Sequence, residues 1–83
     1  MAELYPNIYQ RGRKTTLLTQ EEAAERLHIS PETLKRYEGG RLTPPDETVA
    51  RMCEVYGVRW LALEHAKATD RLGILPELEP KPL

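Results

Sequence analysis

Glu32, Thr33, Lys35 and Arg36 carry side chains that recognise nucleic-acid bases and phosphates, and they stand close together in the chain. At about 100° per residue they fall on one side of a helix over Pro31–Glu38, while Leu34, Tyr37 and Glu38 fall on the other. Lys35 or Arg36 would donate to guanine O6 and N7, Arg36 bidentately, and Glu32 would accept from cytosine N4 or hold Arg36 in position. Thr33 would meet a phosphate or a thymine methyl. Eight residues make a helix about 12 Å long, and a DNA major groove admits one helix. The plainer alternative is a solvated face on which Glu32 and Arg36 pair one turn apart in the favourable orientation. Most charged helix faces are simply wet. The elements that carry this face decide between the two.

Thr19 opens a preceding helix as its cap, with Glu22 at the capping-box spacing. Ala23, Ala24 and Leu27 give that helix a narrow apolar stripe. His28-Ile29 interrupts it, and Ser30-Pro31 starts the next helix with a cap and a proline at the first position. Capped helix, short turn, capped helix is the helix-turn-helix plan, in which the second helix enters the groove. Gln20 and Ser30 stand at the two helix N-termini, where unpaired backbone N–H groups favour phosphate.

The runs LTQEEAAERLHIS, TLKRYEGGR and VARMCEVYGV, with Pro44 before the last, resemble the phage Cro/repressor-type helix-turn-helix family, also called XRE-like, over about residues 8–66. The resemblance implies an all-α fold, a compact five-helix bundle of lambda-repressor-like type with a central helix-turn-helix. It implies a sequence-specific double-stranded DNA-binding transcriptional regulator, with helix 31–38 in the major groove. It also implies that Arg41, in the loop after that helix, lies along the DNA backbone, and that Arg13 of the first helix pairs with Glu38. The wheel turns Glu38 inward independently, and a buried carboxylate needs a partner. Members of the family also serve as antitoxins, so a protein-interaction module is the alternative reading. Two positions depart from the pattern. The family commonly has glycine where this chain has Leu17 and His28. A histidine tolerates the left-handed conformation better than most residues, whereas a leucine there would be strained. Either the loop before the second helix is reshaped, or Thr16 and Leu17 take another turn.

The remaining helices follow from period and punctuation. A first helix is expected from Pro6-Asn7 to about Thr15, with Ile8 and Tyr9 inward. Gly12 inside it costs roughly 1 kcal/mol relative to alanine, so a closely packed neighbour is expected there. After the Gly39-Gly40 stop, a fourth helix begins near Pro45-Asp46 and turns Val49, Met52, Cys53 and Tyr56 to the core. A fifth, about Arg59–Ala68, carries Trp60, Leu61, Leu63 and Ala66, with His65 expected at its surface or edge. Residues 1–69 thus form the domain, and 70–83 a tail with three prolines and the apolar Leu72, Ile74, Leu75 and Leu78. Apolar excess on the fifth helix and tail points to a homodimer, since a helix-turn-helix monomer reads one half-site.

The 83 residues suit one small domain, and their 30% charge leaves no 18-residue apolar run for a membrane span. The start of the chain has no signal-peptide layout, and Cys53 is the single cysteine, expected as a buried structural thiol. A cytoplasmic chain is therefore expected. Its net charge of −1 is low for a DNA binder, though residues 1–43 hold seven Lys/Arg against six Asp/Glu and residues 44–83 five against seven. No catalytic triad, phosphate loop or metal-ligand spacing appears, so no enzyme activity, cofactor or metal site is expected.

Overall fold

The computed structural model describes residues 7–70. Among them are five helices and no strand: α1 Ile8–Lys14, α2 Gln20–Leu27, α3 Pro31–Glu38, α4 Asp46–Tyr56 and α5 Trp60–Ala68. The fold is an all-α helix-turn-helix bundle, with α1 packed on α3, α4 and α5, and α2 on α3 and α4.

Side-chain caps set most of the starts. Asn7 Oδ1 accepts from the Tyr9 and Gln10 amides at 2.8 and 3.0 Å, while its Nδ2 donates to the Tyr37 carbonyl at 2.9 Å. One residue thus begins α1 and ties it to the end of α3. Thr19 and Glu22 exchange both bonds of a capping box, at 3.0 and 3.1 Å. Ser30 Oγ accepts from the Thr33 amide at 3.1 Å. Left-handed residues follow α2, α3 and α4. His28 closes α2 at φ 60°, ψ 40°, and Gly40, at φ 77°, takes the left-handed place after α3. Arg51 Nη1 reaches back to the exposed end of α2, donating to the Leu27 carbonyl at 3.3 Å.

The loop before α2 is reshaped. Among the described residues His28 is the only non-glycine with positive φ, so Leu17 escapes the strain that the glycine position would impose. Hydroxyls make the turn instead. Thr15 and Thr16 Oγ1 donate to the Gly12 and Arg13 carbonyls at 2.7 and 2.6 Å, and Thr16 Oγ1 accepts from the Leu18 amide at 2.9 Å. Leu17 is left fully exposed.

Ala23, Ala24, Leu27, Leu34, Met52 and Leu61 are wholly buried, joined by Tyr9, Tyr37, Val49 and Tyr56. Each large aliphatic chain there stabilises the fold by about 1.5–3 kcal/mol. A Cβ on Gly12 would stand 3.3 Å from both Leu61 Cδ2 and Tyr56 Cδ2, so the glycine is what lets α1 approach α4 and α5. Cys53 is half-buried against this core rather than enclosed by it.

His65 corrects an expectation. It lies inside, 5% exposed, with Nδ1 2.8 Å from Tyr9 Oη and Nε2 2.9 Å from Asp46 Oδ1. An ionised carboxylate only accepts, so Nε2 carries a proton toward Asp46; in the neutral ring Nδ1 then accepts from the Tyr9 hydroxyl. Burial pushes the Tyr9 hydroxyl above its ordinary pKa. The ring links α1, α4 and α5 through partners 56 and 19 residues away, which no helical period reveals.

Candidate nucleic-acid interface

The two sides of α3 differ sharply. Leu34, Tyr37 and Glu38 are buried, whereas Glu32, Lys35 and Arg36 are exposed and Thr33 half-buried. Ser30 Oγ donates to Thr33 Oγ1 at 2.9 Å, which orients the threonine over the first turn. Glu32, Lys35, Arg36, Gly39 and Arg41 together line an open recess of about 400 Å³. Among the described residues, no ion pair joins Glu32 to Arg36, and Lys35, Arg36 and Arg41 all keep their charges uncommitted. Three cations around a rigid helix end can together donate to phosphate oxygens or to guanine acceptors.

Gly39 belongs to this recess and escapes a search for polar side chains. A Cβ there would lie 3.2 Å from the Lys35 carbonyl. The signal available in the sequence is the glycine pair that follows α3. After it, the Arg41 and Leu42 amides both turn back to the Arg36 carbonyl, at 2.9 and 3.3 Å, which brings Arg41 alongside Arg36.

Gln20 and Ser30 stand at the first position of α2 and the cap of α3. Ser30 is exposed, while the Gln20 amide is turned inward, its Nε2 donating to Glu38 Oε1 at 2.9 Å. The same carboxylate meets Arg13, with Nε to Oε2 at 2.8 Å and Nη2 to Oε1 at 3.0 Å. Arg13 Nη1 also donates to the Leu18 carbonyl at 2.9 Å. Both charged side chains are nearly enclosed, at 6% and 3% exposure. Glu38 thus fixes the last turn of α3 to α1 and to the start of α2. Beneath this group lies Tyr56, whose buried hydroxyl has no partner among the described residues. Its pKa is raised well above the ordinary value, first by burial and then by the Glu38 charge, with Arg13 opposing.

A family model described as a helix-turn-helix domain matches residues 10–66, which run from within α1 through most of α5. No curated protein and no solved structure matches the chain. That match covers more than half of the 83 residues and frames the whole α2–α3 unit, so the chain belongs to the helix-turn-helix domain family.

Proposed function

We propose that this protein is a sequence-specific, double-stranded DNA-binding transcriptional regulator of the Cro/repressor, XRE-like type, with α3 lying in the major groove. The observation that carries the reading is the exposed, uncommitted set Lys35, Arg36 and Arg41 around one recess, on a helix whose opposite side is buried. Arg36 and Lys35 read guanine, Glu32 accepts from cytosine or steers Arg36, and Thr33 meets a methyl or a phosphate. Ser30 and Arg41 hold the backbone, and Gln20 joins them by releasing Glu38 or through its main-chain N–H. A near-neutral chain makes few phosphate contacts, so the salt dependence of one subunit is shallow.

Reading an operator calls for two copies. Leu63, half exposed on α5, and the partly buried Trp60 supply apolar surface for a two-fold contact. Such a dimer would set its recognition helices about 34 Å apart, one DNA turn. The regulator would work in the cytoplasm, where its DNA is.

Amide shift mapping with duplex DNA tests the assignment. Shifts should centre on Gln20 and Ser30–Arg41; shifts confined to α5 would sink it. The net charge of −1 favours a second reading, a protein-interaction module of antitoxin type. Copurification with and without nuclease separates the two, because a protein partner survives digestion and a DNA-bridged one does not.

A further inference from the structure

Threonine hydroxyls near helix ends in this fold are spent on the backbone. Thr15, Thr16 and Thr69 each donate to a carbonyl three or four residues back, at 2.7, 2.6 and 2.8 Å. Thr33, in the first turn of α3, does not. Among the described residues no acceptor takes its hydroxyl proton.

Ser30 decides how Thr33 stands. Its Oγ accepts from the Thr33 amide at 3.1 Å and donates to Thr33 Oγ1 at 2.9 Å. A serine hydroxyl has one proton, and this one is committed. Phosphate oxygens and guanine O6 and N7 only accept, so Ser30 would have to give up Thr33 in order to bind them. Thr33 Oγ1 is in the opposite state. It accepts from Ser30 and still holds its own proton, and a hydroxyl that accepts one bond donates the next more strongly. It shares the outer side of α3 with the exposed Glu32, Lys35 and Arg36.

We infer that the Thr33 hydroxyl donates a hydrogen bond to the DNA, and that Ser30 is the positioning residue that holds it, reaching the duplex through Thr33. The inference rests on the DNA-binding reading above and sharpens it. A donated proton, and not the threonine methyl, carries the Thr33 contact. Its acceptor is a phosphate oxygen or the acceptor edge of a base.

The test titrates the full chain and its variants against a duplex that the wild-type chain selects from a random pool, and against random duplex. Thr33→Ser keeps the hydroxyl without the methyl and should bind within about twofold of wild type. Thr33→Val keeps the methyl without the hydroxyl and should bind about tenfold more weakly. Ser30→Gly leaves an accepted cap residue but removes the donor. It should weaken binding in the wild-type background and change nothing in the Thr33→Val background, where a loss through the cap alone would persist. Ser30→Thr restores the hydroxyl and should restore binding. Equal losses on both duplexes identify a phosphate as the acceptor; losses confined to the selected duplex identify a base. Weak binding by Thr33→Ser with Thr33→Val intact would overturn the inference in favour of a methyl contact. An equal loss from Ser30→Gly in both backgrounds would overturn it too, by making Ser30 act independently of Thr33. Wild-type chain that binds neither duplex would instead sink the DNA reading, and the inference with it.

Discussion

Arg13 and Glu38 form a two-point ion pair, 2.8 and 3.0 Å long, that joins the first helix to the last residue of α3. Gln20 adds a third bond to the same carboxylate, at 2.9 Å. Three elements therefore converge on one buried charge, and the orientation of α3 against the bundle is set at its inner end.

Breaking that pair from either side leaves a charge in the core. Glu38→Gln and Arg13→Met should each lower stability by about 3–5 kcal/mol, the cost of an unpaired buried ion. The double variant should recover part of the loss. Denaturant unfolding measures all three, and single variants within about 1 kcal/mol of wild type would mean an exposed pair of little weight.

The His65 link divides unequally between its partners. His65→Leu strands the buried Tyr9 hydroxyl and should cost about 1–3 kcal/mol. Asp46 is 97% exposed, so Asp46→Asn should cost under about 1 kcal/mol. Equal losses for the two would show that the carboxylate, not the ring, holds α4 in place.

Tyr9 and Tyr56 both have pKa values raised from 10.0, so the folded chain keeps protons that the unfolded chain releases. Their contribution to stability is intact below about pH 10 and is lost as pH climbs toward the raised values. Tyr56→Phe should flatten that alkaline loss. At neutral pH it should change stability by less than about 1 kcal/mol, since the hydroxyl it removes has no partner among the described residues. Unfolding curves at several pH values provide the check; a large neutral loss would contradict the unpartnered hydroxyl.

His28 sits exposed at φ 60°. His28→Gly should raise stability by up to about 1 kcal/mol by removing the Cβ penalty of the left-handed conformation. His28→Val should lower it, because a branched side chain tolerates that region least. Thermal melts that rank valine above glycine would argue against the left-handed cap.

The elements were legible where the signal is local. Thr19 with Glu22, and Ser30 with Pro31, carry their cap geometry within three residues, and the wheel of α3 separates Leu34 and Glu38 from Lys35 and Arg36 without tertiary knowledge. Relationships made across the fold were harder. The His65 environment depends on Tyr9 and Asp46, and the inward turn of Gln20 depends on a carboxylate 18 residues away. The Leu17 loop failed as a family pattern because Thr15 and Thr16 offer the backbone hydroxyl partners in place of a glycine turn. Of the recess, the charged rim could be read from residue types, while Gly39 could not, since its part is the space it leaves.

The most direct measurement is a binding titration of wild type, Arg36→Ala and Arg41→Ala. Each is titrated against a duplex selected from a random pool and against random duplex, at several salt concentrations. Arg36→Ala should cost about 1–3 kcal/mol on the selected site and relax base preference there. Arg41→Ala should weaken both duplexes alike and reduce the salt slope by about one unit. Wild-type protein that selects no duplex, or binds unchanged after both substitutions, would contradict a DNA-reading role for α3.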